Sequence, residues 1–185
     1  MRGRYVVLEP LSLDHVDGLV AAATEDRSAY GFTLVPGGTE AMQEYVDAAL
    51  AAEDQTPFAV VHDGRVVGST RFMDTQCLFG PTPTVTEIGS TWYAASVQRT
   101  AVNTECKLLL LTHAFETWRV ERVTLKTDAR NERSRKAILR LGAQFDGVLR
   151  RHSPAVDGGL RDTAYFSIVR EEWPEVRRGL LERLG

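Results

Sequence analysis

Residues 92–116 read WYAASVQRTAVNTECKLLLLTHAFE, and residues 127–143 read TDARNERSRKAILRLGA. The apolar residues of the first block predict a long helix from about Asn103 to Thr117, apolar on more than one side and therefore buried. The second block predicts a helix over residues 131–141 that ends at Gly142. One strand precedes the first helix, and another at residues 120–127 lies between the two helices. This order of strand, helix, strand and helix predicts a right-handed parallel crossover.

Outward from these blocks, the chain alternates strand and helix signals with turn residues between them. On the amino-terminal side we predict a short strand, two helices and two strands joined by a hairpin turn at Asp63-Gly64. Two further strands and a short amphipathic helix follow on the other side. The remaining predicted segments are strands at 5–8, 58–61, 65–72, 84–93, 144–151 and 162–169, and helices beginning near Ser12, Thr39 and Trp173. Residues 1–185 are therefore expected to form a single α/β domain with a mixed, mostly antiparallel sheet of about seven strands flanked by helices.

The composition narrows the class of protein. The 185 residues are 43% hydrophobic and 25% charged, as in a globular protein, and the formal net charge of -3 argues against a dedicated nucleic-acid binder. Only two cysteines, Cys77 and Cys106, are present, which fits a reducing compartment. Residues 1–10 lack the apolar region of a signal peptide, and no apolar run is long enough to span a bilayer. We therefore expect a cytoplasmic protein with neither a membrane nor a nucleic-acid partner.

The element order and the two quoted blocks resemble the GNAT (Gcn5-related N-acetyltransferase) superfamily, and the blocks are similar to its RimJ/RimL branch. In that family the strands on either side of the long helix splay apart, and acetyl-CoA fills the opening. A loop of pattern Q/R-x-x-G-x-G/A then binds the pyrophosphate together with the amides at the helix N-terminus. Here residues 98–103 occupy that place, with Ala101 and Asn103 where the family has glycines.

The resemblance implies a donor, an acceptor and a set of binding residues. The donor would be acetyl-CoA, the acceptor would be the amine of a small molecule or of a protein N-terminus, and no metal is expected, since the four histidines show no ligand spacing. Dimers are common in the family, so a homodimer is another expectation. The residues implied in donor binding are Trp92, Tyr93, Gln98, Arg99, Thr100, Ala101, Val102, Asn103, Thr104, Asn131, Ser134 and Arg135.

Glu87 is the candidate general base. It stands on a strand otherwise rich in Thr, Val, Ile and aromatic residues, where desolvation would raise its pKa toward a useful value. Strict alternation places Glu87, Gly89 and Thr91 on one face of the strand, unless a bulge intervenes. The family has such a bulge, which frees a backbone N–H near Trp92 or Tyr93 to polarise the thioester carbonyl.

Asn131 and Ser134 lie one turn apart at the start of the second helix, so they share a face. In the family, an Asn at this place binds the pantetheine arm, and a nearby Ser or Tyr faces the thioester sulfur. The resemblance therefore makes Ser134 a candidate catalytic residue. The alternative is that Asn131 simply caps the helix and Ser134 is solvated. The tyrosine that many of these enzymes use as general acid is replaced by Ile138.

Three further interpretations complete the sequence prediction. By family layout, the acceptor pocket would be lined by Tyr30, Phe32, Arg71, Phe72, Glu87 and Trp92. The arginines near the phosphate loop either pair with CoA phosphates or form a solvated face, and Cys106 is expected to be a buried structural residue. Two competing functions remain open at this point. They are a non-catalytic CoA-binding or sensor module, suggested by the missing glycines and tyrosine, and a protein that binds another phosphorylated ligand at the same helix N-terminus.

Overall fold

The computed structural model describes residues 1–185, and its seven strands form one sheet in the order β1-β2-β3-β4-β5-β7-β6. Every neighbouring pair is antiparallel except β4 and β5, which are parallel. The predicted mixed, mostly antiparallel sheet is therefore confirmed. The strands are β1 (Val7–Pro10), β2 (Thr56–His62), β3 (Arg65–Gln76), β4 (Val85–Tyr93), β5 (Arg122–Asp128), β6 (Gln144–Pro154) and β7 (Leu160–Val169).

Five α-helices flank the sheet, and the order of helices and strands is the predicted one. The helices are α1 (Val16–Thr24), α2 (Thr39–Ala51), α3 (Ala101–Thr112), α4 (Glu132–Arg140) and α5 (Trp173–Leu184). A π-helical segment, His113–Trp118, continues α3. The helix begins at Ala101 rather than at the predicted Asn103, because the Thr100 hydroxyl accepts a hydrogen bond from the Val102 amide and caps the chain two residues earlier. No helix combines the length and the apolar character that crossing a membrane requires.

The predicted hairpin turn between β2 and β3 is present. Asp63 and Gly64 both have positive φ, 48° and 73°. A two-residue turn of this kind matches the right-handed twist of the strands it joins, which is why Asp-Gly sequences favour it. The hairpin places β3 beside β4 and so fixes one wall of the opening described next.

The sheet is open in its middle. The parallel pairing of β4 and β5 covers only three positions, and it ends where Glu87 lies opposite Thr124. Beyond that point β4 continues to Tyr93 and β5 to Asp128 without pairing. The crossover that joins these two strands contains α3, so the amino-terminal end of α3 faces the opening.

A β-bulge interrupts β4 at Ser90. On β3 the step from Ser69 to Arg71 is two residues, whereas the matching step on β4, from Trp92 back to Gly89, is three. Ser90 takes up the extra residue with φ of 45°. Strict alternation therefore fails beyond this point, and the alternative that a bulge intervenes is confirmed.

The bulge changes which face of the sheet Thr91 occupies. Thr91 Oγ1 lies 2.8 Å from Thr70 Oγ1 and 2.7 Å from a lysine nitrogen on α3. Glu87 lies opposite Met73 and faces the other side, where the neighbouring Arg71 packs over the Tyr45 ring of α2. Consequently β4 presents its carboxylate to one side of the sheet and its Thr91 hydroxyl to the side covered by α3.

Candidate active site

The opening between β4 and β5 forms a cleft of about 740 Å³, a volume typical of small-molecule sites. Its walls are the separated parts of the two strands, the loop that follows α1, and the first turns of α3 and α4. The predicted site residues in this lining are Tyr30, Phe32, Glu87, Trp92, Tyr93, Gln98, Arg99, Thr100, Asn103, Asn131 and Ser134. The structure therefore brings together most of the predicted site residues, although they lie far apart in the sequence.

Glu87 lies at the fork where the two strands separate. Its side chain is only 4% exposed, and its Oε2 is 2.9 Å from Lys126 Nζ. Its second oxygen, Oε1, is buried without a hydrogen-bond partner. Burial raises the pKa of this carboxyl, although the attraction of Lys126 opposes that effect. A buried carboxylate with one free oxygen beside a cleft has the geometry of a proton acceptor.

Lys126, on β5, is a site residue that the sequence reasoning missed. Its ammonium group lies between Glu87 and Asp74, whose Oδ2 is 3.5 Å away, and 5.9 Å from the ring centroid of Tyr165. Burial alone lowers the pKa of Lys126, but the charge and hydrogen bond of Glu87, with Tyr165 and Asp74, outweigh it and raise the pKa overall. The side chain therefore remains a cation and holds Glu87 in place. Only the register of β4 against β5 pairs these two residues, and sequence patterns do not encode that register.

The phosphate-loop residues lie at the mouth of the cleft. Gln98 donates a hydrogen bond of 3.0 Å to the carbonyl of Tyr93 and accepts one of 3.1 Å from Arg133. Arg133 also donates to the carbonyl of Ala29, at 2.7 Å, and so ties α4 to the loop after α1. The side chain of Gln98 thus anchors the loop, while Arg99 lines the entrance with φ of 63°.

The first turn of α3 presents its amino-terminal end to this loop. Thr100 and Asn103 line the cleft, whereas Ala101, Val102 and Thr104 do not. Val102 belongs to the hydrophobic core and Thr104 is also buried. Any ligand contact of those three residues would therefore involve the backbone, and the first amides of a helix lack intrahelical acceptors.

The start of α4 forms the opposite wall. Asn131 Oδ1 accepts a hydrogen bond of 3.0 Å from the Ser134 amide, so Asn131 does cap the helix, as the alternative interpretation held. Both residues nevertheless line the cleft, and so does Ile138 one turn further. Arg135 does not line it, because its guanidinium group donates to the carbonyl of Ala129 and lies 5.7 Å from the centroid of the Phe145 ring.

The predicted acceptor pocket is divided by the structure. Tyr30 and Phe32 line the cleft, and Tyr30 packs edge-on against Trp92 with ring centroids 6.0 Å apart. Phe72 is fully buried on the α3 side of β3, where it packs against Trp118 at 4.5 Å between centroids. Arg71 faces α2 and donates to Gln55 at 2.9 Å. The structure thus leaves Arg71 and Phe72 outside the cleft lining.

Two neighbouring residues of α3 differ sharply in character. Cys106 is fully buried and burial raises the pKa of its thiol, which confirms the expected structural cysteine. Lys107 is also buried, yet its ammonium group lines the cleft and donates 2.7 Å to Thr91 Oγ1. Burial lowers the pKa of Lys107 to about 8. The sequence contained a signal for it, since Lys107 follows Asn103 by one helical turn within an otherwise apolar helix.

Comparison with known proteins supports this architecture. The family model described as the acetyltransferase (GNAT) domain matches residues 6–144. An acetyltransferase from T. thermophilus is 33% identical over 100% of this chain and 96% of its own, with a TM-score of 0.89. A GCN5-related N-acetyltransferase from Brucella melitensis is 31% identical over 100% and 84% of the two chains, with a TM-score of 0.87. No curated protein matches the chain in sequence.

The likeness in fold extends to RimJ from Mycobacterium smegmatis, solved in complex with CoA-disulfide. That structure is 20% identical, covers 96% of this chain and 88% of its own, and has a TM-score of 0.81. The sheet opened between β4 and β5, with a helix N-terminus at the opening, thus defines an acyltransferase fold. The protein is an acyltransferase and belongs to the GNAT acetyltransferase family, so the resemblance drawn from residues 92–116 and 127–143 is confirmed.

Proposed function

We propose that this protein transfers the acetyl group of acetyl-CoA to a primary amine by direct attack. One observation carries the proposal. A buried carboxylate, Glu87, lies at the fork of the same cleft whose mouth is formed by the N-terminus of α3. A proton acceptor and an anion-binding helix end are the two parts that direct acetyl transfer from a CoA thioester requires.

Donor binding is assigned to the α3 end of the cleft. The amides at the start of α3 and the helix dipole would hold the pyrophosphate, with Arg99 and Arg133 adding positive charge at the mouth. The loss of both family glycines is compatible with this role, because Thr100 caps the helix and Asn103 faces the cleft. Asn131 uses its Oδ1 as the helix cap, which leaves its amide NH₂ as the group to donate to the pantetheine arm.

The proposed chemistry assigns one proton to Glu87. Its free Oε1 takes a proton from the acceptor ammonium, and the amine nitrogen then attacks the thioester carbonyl carbon. The C–N bond forms while the carbonyl electrons move to oxygen, and a backbone N–H beside the bulge, at Trp92 or Tyr93, stabilises that charge. The C–S bond then breaks and CoA leaves as a thiolate. The second proton of the nitrogen goes to solvent, and Ser134 or water protonates the weakly basic thiolate.

The acceptor is assigned to the face of β4 that carries Glu87. The polar groups on this side include Asp74, Lys126 and Arg161, and the aromatic rings of Tyr30 and Phe32 stand on the loop after α1. Such a lining suits an amine held beside a carboxylate. We infer an amine acceptor, either a small molecule or a protein N-terminus.

The experiment that tests the function is a direct assay of transfer. The protein is incubated with acetyl-CoA and a panel of peptides, amino acids and small amines, and free thiol is followed while mass spectrometry identifies acetylated products. We expect thiol release that depends on one class of amine. Binding of acetyl-CoA by calorimetry without transfer to any amine would favour the non-catalytic CoA-binding module, for which Ile138 in the tyrosine position is the motivating observation. A nucleotide bound in place of CoA would favour the third hypothesis.

Three further expectations stay predictions. They are a single domain, a cytoplasmic location and a homodimer. The two free cysteines support the reducing compartment. The edge strand β6 and its partner β7 expose Phe145, Val148, Leu149 and Leu160, which supports an apolar contact between subunits. Sedimentation analysis tests the dimer, and a monomer at all concentrations would contradict it.

A further inference from the structure

Lys107 is a buried cation that the chemistry above leaves unused. The residue is 5% exposed and lines the cleft from α3. Its ammonium group donates one hydrogen bond, to Thr91 Oγ1, and it takes part in none of the ion pairs of the protein. A buried ammonium with two spare N–H groups and no adjacent carboxylate is costly. The cost is offset when a ligand in the cleft supplies an electron-rich oxygen.

The position of Lys107 identifies which ligand meets it. The bulge at Ser90 turns Thr91, and with it Lys107, to the α3 side of β4, away from the face that carries Glu87. Lys107 also follows Asn103 by one turn, so both side chains share the cleft-facing side of α3. The donor assigned to α3 therefore passes Asn103 first and ends near Lys107, while the acceptor approaches from the opposite side.

We propose that Lys107 is a catalytic residue whose ammonium group donates a hydrogen bond to the acyl oxygen of the bound thioester. The inference rests on the proposed function. As the amine nitrogen forms its bond to the carbonyl carbon, the C=O electron pair moves to the oxygen, and Lys107 stabilises that charge. The pair returns when the C–S bond breaks and the CoA thiolate leaves. Lys107 keeps its proton throughout, so its role is electrostatic and no further reactant is needed.

Two features of the site fit this role. Burial lowers the pKa of Lys107 to about 8, so the ammonium form still predominates at pH 7. The hydrogen bond from Lys107 to Thr91 and the one between Thr91 and Thr70 fix the ammonium group before any ligand arrives. A donor fixed in advance in a water-poor site stabilises developing charge more strongly than the same group in water.

The test uses the full-length protein and S-acetonyl-CoA labelled with ¹³C at its ketone carbon. This analogue carries an acyl-type oxygen but cannot transfer its group. In the wild-type protein, hydrogen bonding to Lys107 should move the ketone resonance downfield on binding. In Lys107→Met the shift should be lost, whereas affinity for CoA itself, which has no acyl oxygen, should stay within about twofold. With acetyl-CoA and an amine, kcat should fall by about 100-fold with little change in KM.

The outcomes separate the two proposals. A ketone resonance that moves equally in the wild type and in Lys107→Met overturns the role of Lys107 and leaves the acetyltransferase intact. A wild-type protein that binds neither CoA nor the analogue overturns both, and it does so before any variant is compared. If Lys107→Met does not fold, Lys107→Gln serves instead. Its neutral amide should give a smaller downfield shift than the wild type, and an unchanged shift would again overturn the proposal.

Discussion

The carboxylate of Glu87 and the ammonium group of Lys126 form an ion pair of 2.9 Å at the point where β4 and β5 cease to pair. The pair uses one carboxylate oxygen and leaves Oε1 free beside the cleft. It explains how a carboxylate that is nearly completely buried remains available in its charged form, because the cation offsets part of the cost of desolvation. The same pair fixes the direction of the free oxygen. Lys126 is therefore a positioning residue for Glu87.

Replacing Lys126 by Met should move the pH dependence of the reaction. Burial already raises the pKa of Glu87, and removal of the opposing positive charge raises it further. The rise of kcat/KM with pH, which reports deprotonation of Glu87, should therefore begin at a higher pH in the variant. The free energy of unfolding should fall by about 1–3 kcal/mol, because a buried polar group loses its partner. The measurement is a pH–rate profile, with Lys126→Arg as the variant that keeps the charge.

An identical profile in Lys126→Met and the wild type would show that the titrating group is not paired with Lys126. Glu87 would then lose its place as the base. Loss of activity with an unmoved profile would indicate a structural role for Lys126 alone.

Replacing Lys107 by Met should stabilise the ligand-free protein while it reduces activity. The pKa of Lys107 is lowered from its ordinary value of 10.5 to about 8, so the folded state loses this proton before the unfolded state does. The penalty is fully present below pH 8, where it is worth about 3 kcal/mol at pH 7, and it is relieved as the pH rises toward 10.5. The stability advantage of the variant should therefore shrink between pH 8 and pH 10.5. Urea unfolding at several pH values measures this.

Lower stability of Lys107→Met at pH 7 would contradict this account. It would mean that the hydrogen bond to Thr91 serves mainly to hold α3 against β4.

Arg133 and Arg135 lie on the same helix and offer a matched comparison. Arg133 lines the cleft, whereas Arg135 is bonded to the carbonyl of Ala129 outside it. Arg133→Ala should weaken the binding of CoA by about tenfold and reduce its dependence on salt, since a charge near the phosphates is lost. Arg135→Ala should leave CoA affinity unchanged. Calorimetric titrations at two salt concentrations measure both, and equal losses in the two variants would place the phosphates elsewhere.

Ser90 tests the importance of the bulge. Its φ of 45° lies in the left-handed region, which a β-branched side chain adopts only with strain. Ser90→Val should lower the free energy of unfolding by about 1–2 kcal/mol and reduce activity, because the bulge sets the faces of Glu87 and Thr91. Ser90→Gly should keep the bulge and the activity. Full activity in Ser90→Val would show that this backbone conformation is not needed for transfer.

Much of this architecture could be predicted from local patterns. Asp63-Gly64 specified the hairpin, Gly142 ended α4 with its positive φ of 103°, and the apolar run after Asn103 marked the buried helix. The quoted blocks were long enough to indicate the family. These features depend on neighbours in sequence, which a pattern can represent.

The parts that were missed depend on contacts between distant segments. Lys126 meets Glu87 only through the register of two strands that are separated by a whole helix. Phe72 was expected in the acceptor pocket, but the pleat turns it into the core while the adjacent Arg71 faces α2. The single extra residue at Ser90 reversed the face of Thr91. Strand register and bulges follow from tertiary packing, so no short motif revealed them.

The central claim is that Glu87 removes a proton from an amine while acetyl-CoA occupies the cleft. The most direct measurement compares thiol release and acetyl-CoA affinity in the wild type, in Glu87→Gln and in Glu182→Gln, a control at an exposed position on α5. The account predicts that Glu87→Gln binds acetyl-CoA as the wild type does but transfers acetyl groups at least about 100-fold more slowly, while the control matches the wild type. Full transfer activity in Glu87→Gln would contradict it.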